Sequence, residues 1–209
     1  NMKIYVIIVT YNGTKWIDKC FRSLRKSLIP IHIIAVDNNS TDNTVEMIEQ
    51  DYPEIELIKI DKNLGFGKGN NIGLRKALAE NADYVFLQNQ DAWIEPDTIE
   101  KLVHIAQKNQ EFSVLSPLHL NGDGSALETK CNEYINVYDC PGLVSDKFLG
   151  KELSDIYKIS FINAAAWLIS EKCLKEVGGF DPLFPHYGED IDYIERVKLK
   201  GFYVGRSNL

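Results

Sequence analysis

The sequence predicts one α/β domain built on an open, mostly parallel sheet with helices on both sides. Three observations carry that expectation. Apolar, β-branched runs of strand length alternate with stretches of helical spacing along the first half of the chain. Polar, turn-forming residues cluster where each of those strands would stop. The 209 residues, 44% hydrophobic and 25% charged, suit one sizeable core rather than two.

Residues 3–10 form a continuous apolar run, the pattern of a strand buried on both faces. Residues 14–26 then place Trp16, Ile17, Cys20, Phe21 and Leu24 at helical spacing. A second buried strand is predicted over 31–36, stopped by Asp37-Asn38-Asn39-Ser40. Ser40 or Thr41 is the expected cap of the next helix, whose inner face includes Val45 and Ile48. Residues 55–60 read as a third strand, and 69–80 as a helix following a glycine-rich loop. A fourth strand over 84–87, a helix over 96–108 with Pro96 near its start, and a fifth strand over 112–116 follow.

The rhythm breaks at 117–158, which is rich in Gly, Asn, Asp and Ser and shows no periodicity. It is treated as a variable segment on the acceptor side of any site. Order returns with a strand-like stretch over 159–170 and a short helix over 171–177 that stops at Gly178-Gly179. A longer helix over about 190–200 and a last strand over 202–205 complete the reading. The single domain would fill 1–209, and its abrupt end suggests C-terminal truncation.

Composition excludes several classes. A net charge of −7 supplies no basic face for a nucleic-acid backbone, so no nucleic-acid partner is expected. The longest apolar runs, 4–9 and 164–169, are far too short to span a bilayer, and strand-like residues begin at Lys3 where a leader would lie. A cytoplasmic location is expected, with peripheral contact at the inner face of a membrane as the variant. The four cysteines, Cys20, Cys131, Cys140 and Cys173, form no CxxC pair, and the four histidines have no metal-ligand spacing. Free thiols are expected.

In an open α/β sheet, ligands gather beyond the carboxyl ends of the strands. Four polar signals fall at such ends in chain order: Thr10-Tyr11-Asn12-Gly13, Asp37-Asn38-Asn39-Ser40, Asn63 to Asn71, and Gln88-Asn89-Gln90-Asp91. A diphosphate leaving group needs its charge neutralised, and a hard divalent cation held by strand-end carboxylates does this. Asp91 suits that task and equally suits a turn. Asp37 could accept from a nucleobase or ribose, or could serve a helix start. Glycines at 65–73 would let backbone approach a ligand, with Lys68 offering charge to phosphate. The first turn has a single glycine, Gly13, so a dinucleotide fingerprint is absent, and no GxxxxGK[ST] loop occurs. Near the end, Gly178-Gly179-Phe180-Asp181 precedes Glu189-Asp190-Ile191-Asp192. Asp190 at a helix start would remain ionised and could act as a modest base, while Asp192 is spaced to pair with Arg196.

Taken in order, Val9-Thr10-Tyr11-Asn12, the Asp37–Asp42 turn, Asn63-Leu64-Gly65-Phe66 with Gly69-Asn70-Asn71-Ile72-Gly73, and the two late motifs resemble family 2 glycosyltransferases. Within that family the chain is most similar to rhamnosyltransferase-like enzymes of bacterial polysaccharide synthesis. The resemblance implies a GT-A fold, a nucleotide-diphosphate sugar donor (dTDP- or UDP-linked), Mg²⁺ or Mn²⁺, and inversion at the anomeric carbon. The acceptor would be a saccharide or a lipid-linked saccharide. It implies that Thr10, Tyr11, Asn12 and Asp37 contact the nucleotide, with Lys68, Asn71 and Asn89 also on the donor. It makes Asp91 the metal ligand and Asp190 the catalytic base. Asn89 stands where the family often has a first aspartate, and relatives can carry a later metal-directed histidine. The alternative is therefore a catalytically silent domain that binds nucleotide sugars or partners.

Overall fold

The computed structural model describes residues 2–120, 122, 139–184 and 187–208. Cys131 and His186 lie outside them, as does much of the 117–158 segment. Among the described residues, eight strands and seven helices form one mixed sheet with a helical layer on each face.

The first half follows the expected alternation. It comprises β1 (Ile4–Thr10), α1 (Ile17–Arg25), β2 (His32–Asp37), α2 (Thr44–Asp51), β3 (Glu56–Lys59), α3 (Phe66–Ala79) and β4 (Tyr84–Gln88). Next come α4 (Thr98–Lys108) and β5 (Phe112–Ser116). The sheet order is β3-β2-β1-β4-β7-β5-β8-β6, in which β1, β2, β3 and β4 run parallel. The centre of this half is β1, and its side chains alternate between the layers. Ile4, Val6 and Ile8 face α1, α2 and α4, whereas Tyr5 and Ile7 face α3 and the later helices. Two-sided burial is why its sequence is apolar throughout.

The second half departs from a parallel pattern. Strand β7 (Ala166–Ser170) inserts antiparallel between β4 and β5, and β8 (Tyr203–Ser207) pairs parallel to β5. Beyond it lies the short antiparallel edge strand β6 (Ile156–Lys158). Helices α5 (Pro141–Phe148), α6 (Glu171–Val177) and α7 (Glu189–Leu199) join α3 on one face.

Four expectations need correction. The strand over 159–170 is confined to β7. Ile159, whose N–H donates to the Val204 carbonyl at 3.0 Å, and Ile162 are buried outside any strand, and burial alone does not separate packed coil from strand. The 117–158 segment contains α5 and β6, each too short to display a period. Neither Ser40 nor Thr41 caps α2. The Ser40 hydroxyl is used at Asp37, and Asp42 Oδ1 accepts instead from the Thr44 N–H at 3.0 Å. The glycine-rich stretch is not a loop up to residue 69, because α3 already starts at Phe66. Its glycines serve packing. A Cβ on Gly69 would stand 3.0 Å from both Val9 methyl carbons, and one on Gly73 would stand 2.5 Å from Ile7 Cγ2. The helix therefore lies against β1 more closely than any residue with a side chain permits.

Candidate functional site

The carboxyl ends of β1, β2 and β4 are tied together by side chains acting on neighbouring backbone. Thr10 and Asp37 are register partners at the ends of β1 and β2. The Thr10 hydroxyl donates to Asp37 Oδ1 at 2.8 Å, and the Ser40 hydroxyl donates to the same oxygen at 2.6 Å. The Ser40 N–H donates to Asp37 Oδ2 at 2.8 Å. With Asp37 only 2% exposed and three donors satisfied, this carboxylate is chiefly an anchor. A carboxylate has about four acceptor positions, and these donors fill three of them.

Around that anchor the loops interlock. The Asn12 N–H donates to Ser40 Oγ at 2.9 Å, and Asn12 Oδ1 accepts from the Thr41 N–H at 2.8 Å. Asn12 adopts φ +45°, in the left-handed region that Asn tolerates better than most residues. Gln90 clamps the Tyr11 peptide from the β4 side. Its Oε1 accepts from the Tyr11 N–H and its Nε2 donates to the Tyr11 carbonyl, both at 3.0 Å. A Cβ at Gly13 would collide with that Gln90 amide, which accounts for the lone glycine of the turn. Tyr11 is thereby held with its side chain out, 43% exposed.

The next link runs to α3. Asn38 Nδ2 donates to the Gly65 carbonyl at 3.0 Å, and the Leu64 N–H donates to Asn38 Oδ1 at 3.2 Å. Gly65 precedes α3 at φ +83°, and no side chain caps the helix. The first turn carries no acidic residue and includes the half-buried Lys68. Uncapped N–H groups beside a cation favour an anion.

Asn71, expected on the donor, is committed elsewhere. Its Nδ2 donates to the Phe180 carbonyl and its Oδ1 accepts from the Phe180 N–H, both at 2.8 Å. Asp192 and Arg196 pair at 2.8 Å as the spacing predicts, and Arg196 also donates to the carbonyls of Val177 and Gly179. The Gly178–Phe180 turn is thus gripped from both α3 and α7. Beneath it, Phe180 packs on Phe66, Trp167 and Tyr193, with ring centroids 5.2–6.1 Å apart. Sequence reasoning missed Gln90, Asn38 and this aromatic base. Their only sequence signal was position within or beside the motifs.

The α7 helix begins after Gly188 at φ +86°, with Glu189, Asp190 and Asp192 in its first turn. The Ile191 N–H donates to Asp190 Oδ1 at 2.9 Å. A Cβ on Gly67 would lie 3.7 Å from Glu189 Cβ, so the starts of α3 and α7 abut. A connected path therefore runs from Gln90 through Tyr11–Asn12, Ser40, Asp37–Asn38 and Gly65–Gly67 to Glu189 and Asp190.

Asp91 is exposed in the turn after β4, and Asn89 is half-buried with its backbone bonded to Ala165 and Ala92. Among the described residues, Asp91, Lys68 and Asp190 form no ion pair. Among the described residues, no group of three or more His, Cys, Asp or Glu side chains gathers there that could hold a metal on its own. Cys20, Cys140 and Cys173 are free and buried, and burial pushes the Cys20 and Cys173 thiols up to about 12. Cys20 supports the β4 end from below, its thiol donating to the Asn89 carbonyl at 3.7 Å. A cleft of about 590 Å³ lined by Asp83, Gln107 and Lys172 opens at the other end of β4 and includes none of the motif residues.

The sequence model of the family described as "Glycosyl transferase family 2" matches residues 5–178. The chain is 25% identical to the N-acetylglucosaminyl-diphospho-decaprenol L-rhamnosyltransferase of Mycobacterium tuberculosis, over 94% of this chain and 71% of that protein. It is 28% identical to the dTDP-rhamnosyl transferase RfbF of Shigella flexneri, over 93% of this chain and 61% of that one. Among solved structures, Staphylococcus aureus TarS 1–349 in complex with UDP-GlcNAc superposes with a TM-score of 0.70 at 20% identity. That match covers 100% of this chain and 56% of TarS 1–349. The mannosyltransferase PcManGT from Pyrobaculum calidifontis, in complex with GDP-Man and Mn²⁺, gives 0.70 at 17% identity, over 99% and 54% of the two chains. The chain thus spans little more than half of these solved structures. The fold is the GT-A fold expected from the order of the motifs.

Proposed function

Because this chain belongs to family 2 of the glycosyltransferases, we propose that it moves a sugar from a nucleotide-diphosphate donor to an acceptor hydroxyl, with inversion. The observation that carries this reading is the connected edge described above. One hydrogen-bonded and packed path brings the β1, β2 and β4 ends, the start of α3 and the start of α7 to one side of the sheet.

Each candidate residue then has a task. Tyr11 and Asn12 present the nucleotide with an aromatic face and a polar edge, while Thr10 and the remaining acceptor position of Asp37 fix the floor beneath them. Lys68 and the uncapped N–H groups of α3 take the diphosphate. Asn71 acts on the site through the Phe180 turn.

Asp91 and Asn89 suit a divalent cation shared with the donor. One carboxylate and an amide are too few ligands for a closed protein cage, but Mg²⁺-type sites commonly use one or two carboxylates and draw the rest from substrate phosphates and water. Bound there, Mg²⁺ or Mn²⁺ supplies positive charge to the departing diphosphate.

Asp190 takes the proton of the acceptor hydroxyl as that oxygen bonds to the anomeric carbon. The bond from that carbon to the diphosphate oxygen breaks, and the nucleoside diphosphate leaves with the electron pair. Attack from the face opposite the leaving group inverts the centre. The relatives' names, one citing N-acetylglucosaminyl-diphospho-decaprenol and another low-salt glycan biosynthesis, support an acceptor that is a saccharide or a lipid-linked saccharide. A second reading, a silent donor-binding domain, draws on the thin ligand set at Asp91.

Asp190→Asn separates the two readings. The amide preserves size and a helix-start acceptor but cannot accept a proton. In the whole protein, with its own acceptor, transfer should fall by about 10²–10⁴-fold while donor affinity is retained. Undiminished transfer would remove Asp190 from the mechanism. Absence of transfer by the unaltered whole protein, despite donor binding, would favour the silent domain.

A further inference from the structure

The turn that follows β4 is pinned on both sides of Asp91. The Ala92 N–H closes it by donating to the Asn89 carbonyl at 3.1 Å. The Asn89 N–H donates to the Ala165 carbonyl at 3.0 Å, and Gln90 is held by its two bonds to the Tyr11 peptide. The Ala92 carbonyl accepts from Gln88 Nε2 at 3.0 Å. Asp91 itself is exposed, and among the described residues it forms no ion pair. Bonds on both flanks of a carboxylate set its direction before any ligand arrives.

Gln88 is the unusual member of this set. It ends β4 at 2% exposure, opposite Ala166 of β7, with its side chain against Cys20 of α1. Its Nε2 lies 3.2 Å from the Cys20 sulfur, and the Cys20 thiol donates in turn to the Asn89 carbonyl at 3.7 Å. Ser23, one turn along α1, adds another tie. Its hydroxyl donates to the Cys20 carbonyl at 2.6 Å and accepts from the Ile94 N–H at 3.3 Å. A carbonyl can only accept, so the Gln88 amide must turn its nitrogen toward Ala92. Its own oxygen, Oε1, is then buried with no partner. An unmet buried acceptor destabilises a fold. Methionine would fill the same space between strand and helix without that cost. The amide therefore serves the turn more than it serves the core.

We propose that Gln88, backed by Cys20, is a positioning residue for the metal carboxylate, holding the Asn89–Ala92 turn so that Asp91 meets the cation in one geometry. It acts through Asp91 rather than by contact with the donor. A site with a single carboxylate has no second one to compensate for a misplaced first. Outer partners of a metal ligand are commonly worth about ten- to a hundredfold in metal affinity. The proposal rests on the glycosyl-transfer reading, because it takes Asp91 as the ligand of a divalent cation.

The test is titration of the chain with UDP, dTDP and GDP, each with Mn²⁺ and with a chelator. The ratio of the two affinities is the metal enhancement. Gln88→Met, similar in size but without the donor, should lower that enhancement about tenfold and leave affinity in chelator unchanged. The melting temperature of the unliganded variant should equal or exceed that of the unaltered chain, since the unmet acceptor is gone. Asp91→Ala should show no enhancement, and adding Gln88→Met to it should change nothing further. That comparison separates positioning from general damage, which would weaken diphosphate binding in both backgrounds. Should Gln88→Met not fold, Cys20→Ala and Cys20→Ser carry the same test, the first lowering the enhancement and the second restoring it. Undiminished enhancement in Gln88→Met, or a further loss in the Asp91→Ala background, would overturn the proposal and leave the donor site standing. No enhancement in the unaltered chain would overturn both this proposal and the metal's part in the glycosyl-transfer reading.

Discussion

Amide side chains account for much of the organisation at single positions. Asn38, Asn71 and Gln90 each set a donor and an acceptor against another segment's backbone, at Gly65 and Leu64, at Phe180, and at Tyr11. Asn71 has the longest reach, spanning 109 positions of sequence. Asn71→Ala leaves the Phe180 peptide, whose residue is 2% exposed, without either partner. The loss should be about 1–3 kcal/mol of unfolding free energy in urea, together with weakened acceptor transfer through the loosened turn. Stability equal to that of the unaltered chain would show the clamp to be incidental. The sequence identified Asn71 as important but not its partner, because an amide looks the same whether it faces a ligand or a distant peptide. The same ambiguity affected Asp37, whose carboxylate is largely filled by Thr10 and Ser40.

Helix α3 shows how an element can be hidden by its own packing. Its first residues, 66–68, read as loop rather than helix because they follow Gly65 and include Gly67, and glycine is a poor helix former, costing about 1 kcal/mol relative to alanine. The structure spends that cost on close approach to β1. Gly73→Ala therefore improves helix propensity yet must destabilise the fold, since its Cβ would sit 2.5 Å from Ile7 Cγ2 and Ile7 is fully buried. Overpacking of this kind costs about 1–3 kcal/mol, so urea unfolding should show a net loss. A gain would mean that α3 does not lie so close to β1. By contrast β1, β5 and α6 were readable almost to the residue, because two-sided burial and the Gly178-Gly179 stop leave local signatures. Strand β6 and helix α5 left none, being three and eight residues long.

At the scale of the whole chain, legibility divides along the sheet. The β3-β2-β1-β4 half follows chain-local crossovers, and the turns at its carboxyl edge announce themselves in the sequence. The other half is assembled by long-range pairing. β7 lies antiparallel between β4 and β5, an arrangement that no local pattern specifies. That insertion brings Trp167 beneath the Phe180 turn and sets the start of α7 against α3. Asp190 thereby joins residues separated from it by about a hundred or more positions.

The central claim is that this joined edge binds a nucleoside diphosphate with a divalent cation. The most direct measurement is the melting temperature of the chain across a panel of nucleoside diphosphates and their sugars, with Mn²⁺ and with a chelator, repeated for Asp91→Ala. Ligand at about a hundred times its dissociation constant should add roughly 2.7 kcal/mol of stability. The gain should be larger with Mn²⁺ than with chelator, and Asp91→Ala should lose the metal-dependent part while keeping the fold. A melting temperature indifferent to every diphosphate in the panel would contradict the account.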